Sequence, residues 1–350
     1  MDSLTPILER LHKDVVAIHK GFYPRSILVE LGKAGAYQSF LTQGEKGLME
    51  AIEVIAQVSC VCGNTGFCVW AQEALAWYLY NSANPDSELF AKVSQGAILG
   101  GTGLSNPVKS FAGLESIKLK ASKVSGGYLI NGTLPWVSNI EQGHYFGAIA
   151  KVESDEPTES PHYVMGIVEC NGTSVALKEE IKFCGLEGSA TKSVILKDYF
   201  LSAKRIISDP LEAKLPQIMP GFVLLQIGIA LGLIQSGIDK ITKESHSKNG
   251  VNAYLPMNLE NLISQKDSLL KRTQTLAQTP FDTRKEYFHD VLQLKSDCAS
   301  LTLLVAQNCM LATGTKGYLQ NSLASKLLIE SYFVAIVTPS IKHIAKVLES

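Results

Sequence analysis

The sequence carries little charge. Only 19% of its 350 residues are Asp, Glu, Lys or Arg, and 32 basic against 33 acidic side chains leave a formal net charge of -1. With no basic tail and no long run of one sign, neither nucleic acid nor an anionic membrane surface is expected as a partner. Long apolar runs are scarce as well. The longest, 221–234, is interrupted by Gln226. It is shorter than the ~20 residues a membrane span needs, so it reads as a central core helix and no membrane is expected. Residues 1–20 mix acidic and basic side chains and contain no apolar signal core, which makes a cytoplasmic protein the expectation. The seven cysteines show no paired spacing. Cys60, Cys62 and Cys68 cluster without the second pair or neighbouring His of a zinc site, so reduced thiols and no metal are expected. Internal repeats and low-complexity tracts are missing.

What remains is an apolar chain, with 46% hydrophobic residues and a mean hydropathy of +0.11. That composition predicts extensive helix burial, subunit interfaces included. The periodicity divides it into three. In residues 1–97 the apolar positions recur at helical spacing, as in Leu48, Ile52, Ile55 and Val58 and again in Ala71, Leu75 and Tyr78. In 98–210 the period falls to two. Ile117, Leu119 and Ala121 alternate with polar residues, and apolar runs at 128–130, 145–150, 163–168 and 194–196 follow. Gly126-Gly127, Asn131-Gly132 and Asn171-Gly172 read as turns between them, and 154–161 as an exposed loop. Strands without intervening helices predict an antiparallel barrel or sandwich. In 211–350 the helical period returns, with Phe288, Val291, Leu292, Cys298, Leu301, Leu304 and Val305 on one side of a long helix. Ile329, Phe333 and Ile336 mark another. The fold class is α+β: an N-terminal helical domain, a middle β domain and a C-terminal four-helix bundle.

Four segments sharpen this reading. Leu31 to Gly47 places Gly44 and Gly47 after a helical stretch. The stretch 98–107 ends in Ser105, Asn106 and Pro107. The stretch 127–139 carries Gly127, Gly132, Trp136, Ser138 and Asn139, and 185–191 carries Gly185, Glu187, Ser189 and Thr191 ahead of the apolar run at 194–199. In this order they resemble the acyl-CoA dehydrogenases over nearly the whole chain. Ser105, Asn106 and Pro107 stand where that family has Thr, Glu and Pro, and the Trp136 segment is the most specific match.

The resemblance implies a flavin lying against the β domain. Trp136 would give it a flat apolar wall, and Ser138 and Ser105 hydroxyls would meet its polar edge. Thr102 and the backbone of Leu104 would join them, with Gly103 allowing close approach. At the adenosine end only Lys248 and Gly314, with Lys316 and Gly317 beside it, match the family's phosphate-binding segments. FAD is the implied cofactor and FMN its alternative. The family removes a proton next to a thioester with a glutamate, yet the two positions where its members carry that base are here Ile336 and Phe222. Glu330, Tyr332 and Asp297 lie nearby and read as structural. Monooxygenases of the same fold, which lack the glutamate, point to His343 as a weak catalytic candidate. His144 and His162 read as strand-edge or loop residues. The family's assembly implies a homodimer or homotetramer. Three functions stay open: oxidation of an acyl thioester or related CH–CH substrate, monooxygenation with reduced flavin from a separate reductase, and non-catalytic binding of flavin or acyl groups.

Overall fold

The computed structural model describes residues 2–153, 162–178, 181–247 and 250–349; the loop expected at 154–161 lies outside them. Six helices come first: α1 (Thr5–His19), α2 (Arg25–Lys33), α3 (Ser39–Gln43), α4 (Leu48–Val61), α5 (Gly63–Tyr80) and α6 (Ser87–Ser94). Cys62 separates α4 from α5 by adopting an extended conformation, and Gly63 then opens the second helix. The stripe Leu48, Ile52, Ile55 and Val58 is buried on α4 as its spacing predicts. The stripe on α5 understates the outcome, because every residue from Gly63 to Leu79 is buried. A helix hidden all round needs no polar face, and α5 is enclosed by α4, α8 and the sheet.

Strands and one helix follow: β1 (Gly100–Thr102), α7 (Ser105–Phe111), β2 (Leu119–Val124), β3 (Gly127–Val137), β4 (Tyr145–Val152), β5 (Tyr163–Glu169), β6 (Val175–Lys178), β7 (Lys192–Ser202) and β8 (Ile206–Ser208). They form one eight-stranded sheet in the order β6-β7-β3-β2-β4-β5-β8, with β1 beside β4. Pairing is antiparallel except where β4 meets β1 and β2, both parallel to it. Gly126 makes the β2–β3 turn with φ 81°, and the Asn171 side chain accepts the N–H groups of Thr173 and Ser174 in the turn before β6. Asn131-Gly132 is different. It lies inside β3 as a bulge, not between strands, because Gly132 at φ 137° passes so close to β2 that a Cβ would sit 2.3 Å from the Lys118 carbonyl.

The apolar runs on β4 and β5 are continuous because the sheet is covered on both faces. Tyr145, Ile149, Met165 and Ile167 join the helical core. Their alternate neighbours Phe146, Ala148, Val164 and Val168 close a second core with Leu119, Tyr128, Leu134 and Leu196.

The chain ends in α8 (Leu215–Ser247), α9 (Leu259–Leu276), α10 (Lys285–Thr313), α11 (Leu323–Ile336) and α12 (Ile341–Leu348). By length and composition α8 and the stretch 323–348 are apolar enough to cross a bilayer, but the apolar window of α8 is 94% buried inside the protein. Core burial accounts for its composition. Gly228 and Gly232 let α8 touch the α4 backbone: a Cβ at Gly232 would lie 2.3 Å from the Ala56 carbonyl, and one at Gly228 2.6 Å from that of Ile52. We expect Gly232→Ala to push two central helices apart and cost about 1–3 kcal/mol. Urea unfolding checks this; an unchanged midpoint would show that the helices separate freely.

On α10 the predicted stripe is buried except at Phe288, which is half-buried, and Leu304, which is 42% exposed. On α11 the core face is Ala324, Leu327, Ser331 and Val334. The row Ile329, Phe333 and Ile336 turns the other way. Ile329 abuts Gly185, Phe333 meets Phe67, and Ile336 is 65% exposed. That face overlooks a cleft.

Candidate functional site

The cleft is built where the sheet meets α5, α8 and α11. Thr102 ends β1 and Ser105 opens α7, so the short turn between them brings two hydroxyls to the same wall. Trp136 stands next to the end of β3, within a second register shift between Leu134 and Val137. A bulge there re-aims side chains, and the indole is left 43% exposed, 5.7 Å from the Phe183 ring. Asn139, at φ 60°, closes the strand: its amide donates to the Gly100 carbonyl, its carbonyl oxygen accepts the Tyr23 hydroxyl, and its N–H donates to Ser189. This ties β3 to the 186–191 turn and explains why Asn139 closes the Trp136 segment.

Thr102, Ser105, Trp136 and Ser138 line one cleft of about 340 Å³ together with Phe222 and Ile336, within the usual range for small-molecule pockets. Its floor is aromatic. Phe67 packs edge-on to Phe333 at 4.5 Å and against Trp70 at 5.4 Å, and Trp70 meets Phe222 at 5.5 Å. Its polar groups are hydroxyls. Thr191 donates to Ser138 at 2.7 Å and lies 2.8 Å from Ser189. A hydroxyl has one hydrogen to give. Thr191 spends its own on Ser138, so Ser189 donates to Thr191 and the Ser138 O–H stays available to an acceptor. Opposite, Ser105 and Thr338 stand 3.2 Å apart. The described charged residue on the lining is Lys109, 3.9 Å from Glu115.

Other predicted residues fall elsewhere. Leu104 is fully buried with its N–H bonded to Thr102 Oγ1 at 3.3 Å, so it backs the wall without lining it. Thr102 also shares a 2.8 Å hydrogen bond with Tyr78, whose hydroxyl burial pushes well up. Gly314 ends α10 at φ 66°, and neither it nor Lys316 lines the cleft. Lys248 lies outside the described residues.

His343 accepts the Ser340 N–H at the start of α12 and lines a second cleft of about 330 Å³, with Phe111, Met219, Arg284 and Phe288. Burial and then Lys342, Lys109 and Lys295 hold its pKa below the usual imidazole value. Glu330 is buried under α5, where it accepts the Asn64 N–H at 3.2 Å; burial pushes its carboxyl up to about 7. Asp297 pairs with Arg272 at 2.6 Å and Tyr332 is 58% exposed. His144 is buried against the Asn139 carbonyl, and His162 stands 3.2 Å from Asp209.

Sequence reasoning missed Phe67 and Phe183. Thr191 and Ser189 stood in a quoted segment, and their spacing of two was the available signal for a shared hydroxyl chain.

No protein-family model matches the chain. It is 26% identical over 200 residues to the mitochondrial isovaleryl-CoA dehydrogenase of Oryza sativa subsp. japonica, a match that covers 55% of this chain and 48% of that protein. The matched stretch thus spans about half the length of the relative. Among solved structures, butyryl-CoA dehydrogenase from Megasphaera elsdenii superposes with a TM-score of 0.83 at 14% identity, over 100% of this chain and 97% of that one. Dibenzothiophene monooxygenase from Paenibacillus sp. A11-2, solved with FMN and indole, gives 0.82 at 14% over 99% and 95%. At such identities the solved structures share the fold. The chain therefore has the fold of the acyl-CoA dehydrogenases, and the partial sequence match supports its resemblance to that superfamily.

Proposed function

We propose that the chain is a flavin-dependent oxidoreductase that uses reduced flavin and oxygen on an apolar small molecule, a monooxygenase on a dehydrogenase scaffold. The observation that carries this is the lining of the cleft. Among its described residues the walls are aromatic or aliphatic, the polar groups are hydroxyls apart from the Lys109 ammonium, and the two positions where the resemblance would place a carboxylate are Ile336 and Phe222. Abstraction of a proton beside a thioester needs a base within hydrogen-bond reach, and a serine or threonine hydroxyl is too weak an acid–base group for it. A largely apolar cleft with hydroxyl donors instead suits chemistry in which the cofactor does the hard step.

In this reading the isoalloxazine ring of the flavin lies along Trp136, with Ser138 and Ser105 on its polar edge. The reactive chemistry is supplied by the flavin when bound. The residues of the chain orient it and offer hydroxyl protons. FAD is the proposed cofactor, and FMN fits a chain with so little of the phosphate-binding pattern. A separate reductase would supply reduced flavin, in a cytoplasmic homodimer or homotetramer. The sequence match to an isovaleryl-CoA dehydrogenase favours a second reading, oxidation of an acyl thioester.

Rapid mixing separates the two. Protein loaded with reduced flavin and mixed with oxygen is expected to give an absorbance transient distinct from both oxidised and reduced flavin. Direct reoxidation without it, together with flavin bleaching by an acyl-CoA under anaerobic conditions, would establish the dehydrogenase. A chain that does neither and yet holds flavin is a binding protein.

A further inference from the structure

Behind the cleft lies a buried cation that the proposed chemistry does not use. Lys295 on α10 is 3% exposed, and its ammonium donates to Gln226 Oε1, to the Val337 carbonyl at 3.0 Å and to the Pro339 carbonyl at 2.6 Å. Gln226, the polar residue that interrupts the apolar run of α8, turns its amide to the Thr338 carbonyl at 3.0 Å. Three consecutive carbonyls, 337 to 339, are therefore all held from below.

An ammonium has three N–H donors and a neutral amine two. Lys295 has three acceptors, so the geometry calls for the charged form, although burial alone drives its pKa well below the ordinary lysine value. The acceptors are an amide and two backbone carbonyls, and none is an anion. What compensates the charge is the end of α11: Val337 is its C-cap, and a helix C-terminus presents unpaired carbonyls and the negative end of its dipole. A structural role in the core would be met more cheaply by an apolar side chain of the same length, since a buried charge is costly even when satisfied.

The clamped segment is the partition between the two clefts. Val337 and Thr338 line the first and Pro339 the second. With its three carbonyls pulled inward, Thr338 is left facing Ser105 across 3.2 Å. We infer that Lys295 is a positioning residue for the flavin cleft: through Gln226 and the 337–339 carbonyls it fixes Thr338 opposite Ser105 and sets one positive charge behind the ring site. The inference rests on the flavin reading of that cleft. A fixed cation there favours the electron-rich, reduced form of a bound flavin over the oxidised form.

The test compares the unchanged protein with Lys295→Met and Gln226→Leu. Without flavin, hydrogen exchange of peptides spanning 337–340 is expected to quicken in both variants; unchanged exchange would overturn the clamp. With flavin, titration with FAD and with FMN is expected to show about tenfold weaker binding for both, or about 1.4 kcal/mol. The midpoint potential is expected to move to more negative values in Lys295→Met but not in Gln226→Leu, which keeps the charge. A potential that stays put in Lys295→Met, or moves equally in the two, would overturn the electrostatic part. Should Lys295→Met fail to fold, Gln226→Leu still tests the clamp, because Lys295 retains its two carbonyls there. If the unchanged protein takes up neither FAD nor FMN, the flavin reading falls, whereas the exchange measurement judges the clamp separately.

Discussion

Glu73→Met is expected to stabilise the protein, and to do so more at pH 8 than at pH 5. Glu73 lies in the middle of α5, fully buried, and among the described residues neither carboxylate oxygen has a hydrogen-bond partner. An ionised carboxylate in such a place is prohibitively costly, so the group folds as the neutral acid. Burial first, and then the charge of Glu50, push its pKa well above the ordinary value of 4.5. The sign follows from proton counting. Above pH 4.5 the unfolded chain releases this proton and the folded chain keeps it, so the native state binds more protons and stability falls as pH rises. The loss runs at up to about 1.4 kcal/mol per pH unit until the folded pKa is reached. Glu330 adds a second, bounded loss. Its carboxyl sits at about 7 against 4.5, so its share disappears between those values and then levels off, a difference of roughly 3 kcal/mol. Methionine at 73 fills a similar volume without a polar group. Urea unfolding of both proteins at pH 5 and pH 8 checks the prediction, with a gain of a few kcal/mol expected at pH 8. A gain of the same size at both pH values would mean that Glu73 is ionised or solvated, and a loss would mean that it has a partner in the fold.

The same residue marks the limit of reading from sequence. Helices, strands and helices were legible in their order because periods of 3.6 and 2 follow from which faces are covered. The core stripe of α4 could be placed residue by residue. Where an element is covered on all sides, periodicity carries no orientation, so α5 looked like an amphipathic helix and Glu73 passed unnoticed within it. Ile329, Phe333 and Ile336 were recognised as a row, but a hydrophobic row says only that water is excluded, not whether a core or a ligand excludes it. Asn131-Gly132 failed for a different reason. Its residue types suit a hairpin turn, and the structure uses the same backbone freedom for a bulge beneath a neighbouring strand. Thr102, Ser105, Trp136 and Ser138 could be grouped from the sequence because they stand at or beside the ends of β1, α7 and β3. Lys295 could not, because it reaches the Val337 and Pro339 carbonyls only when α10 packs against the end of α11.

Trp136→Ala is expected to weaken flavin binding about a hundredfold, close to 2.7 kcal/mol, with little change in stability. The indole stands at the mouth of the cleft with 43% of its surface exposed, and a flat ring laid on it would remove that surface from water and add the stacking preference of two aromatic systems. Because the residue stands near the end of β3 and belongs to neither core, with Phe183 as its aromatic neighbour among the described residues, truncation leaves no cavity in either core. Ser138→Ala is expected to cost less, about tenfold. Its hydroxyl is held by Thr191 and offers one hydrogen bond, and one neutral hydrogen bond is worth about 1 kcal/mol net. The two effects differ in kind. Loss of the indole removes contact with the whole ring and should weaken oxidised and reduced flavin alike, whereas loss of a single donor should be felt most by the form with more electron density on its polar edge. Fluorescence titration of each variant with oxidised flavin, and anaerobic titration with reduced flavin, resolves this. Equal affinity of Trp136→Ala and the unchanged protein for both forms would remove the flavin from this cleft.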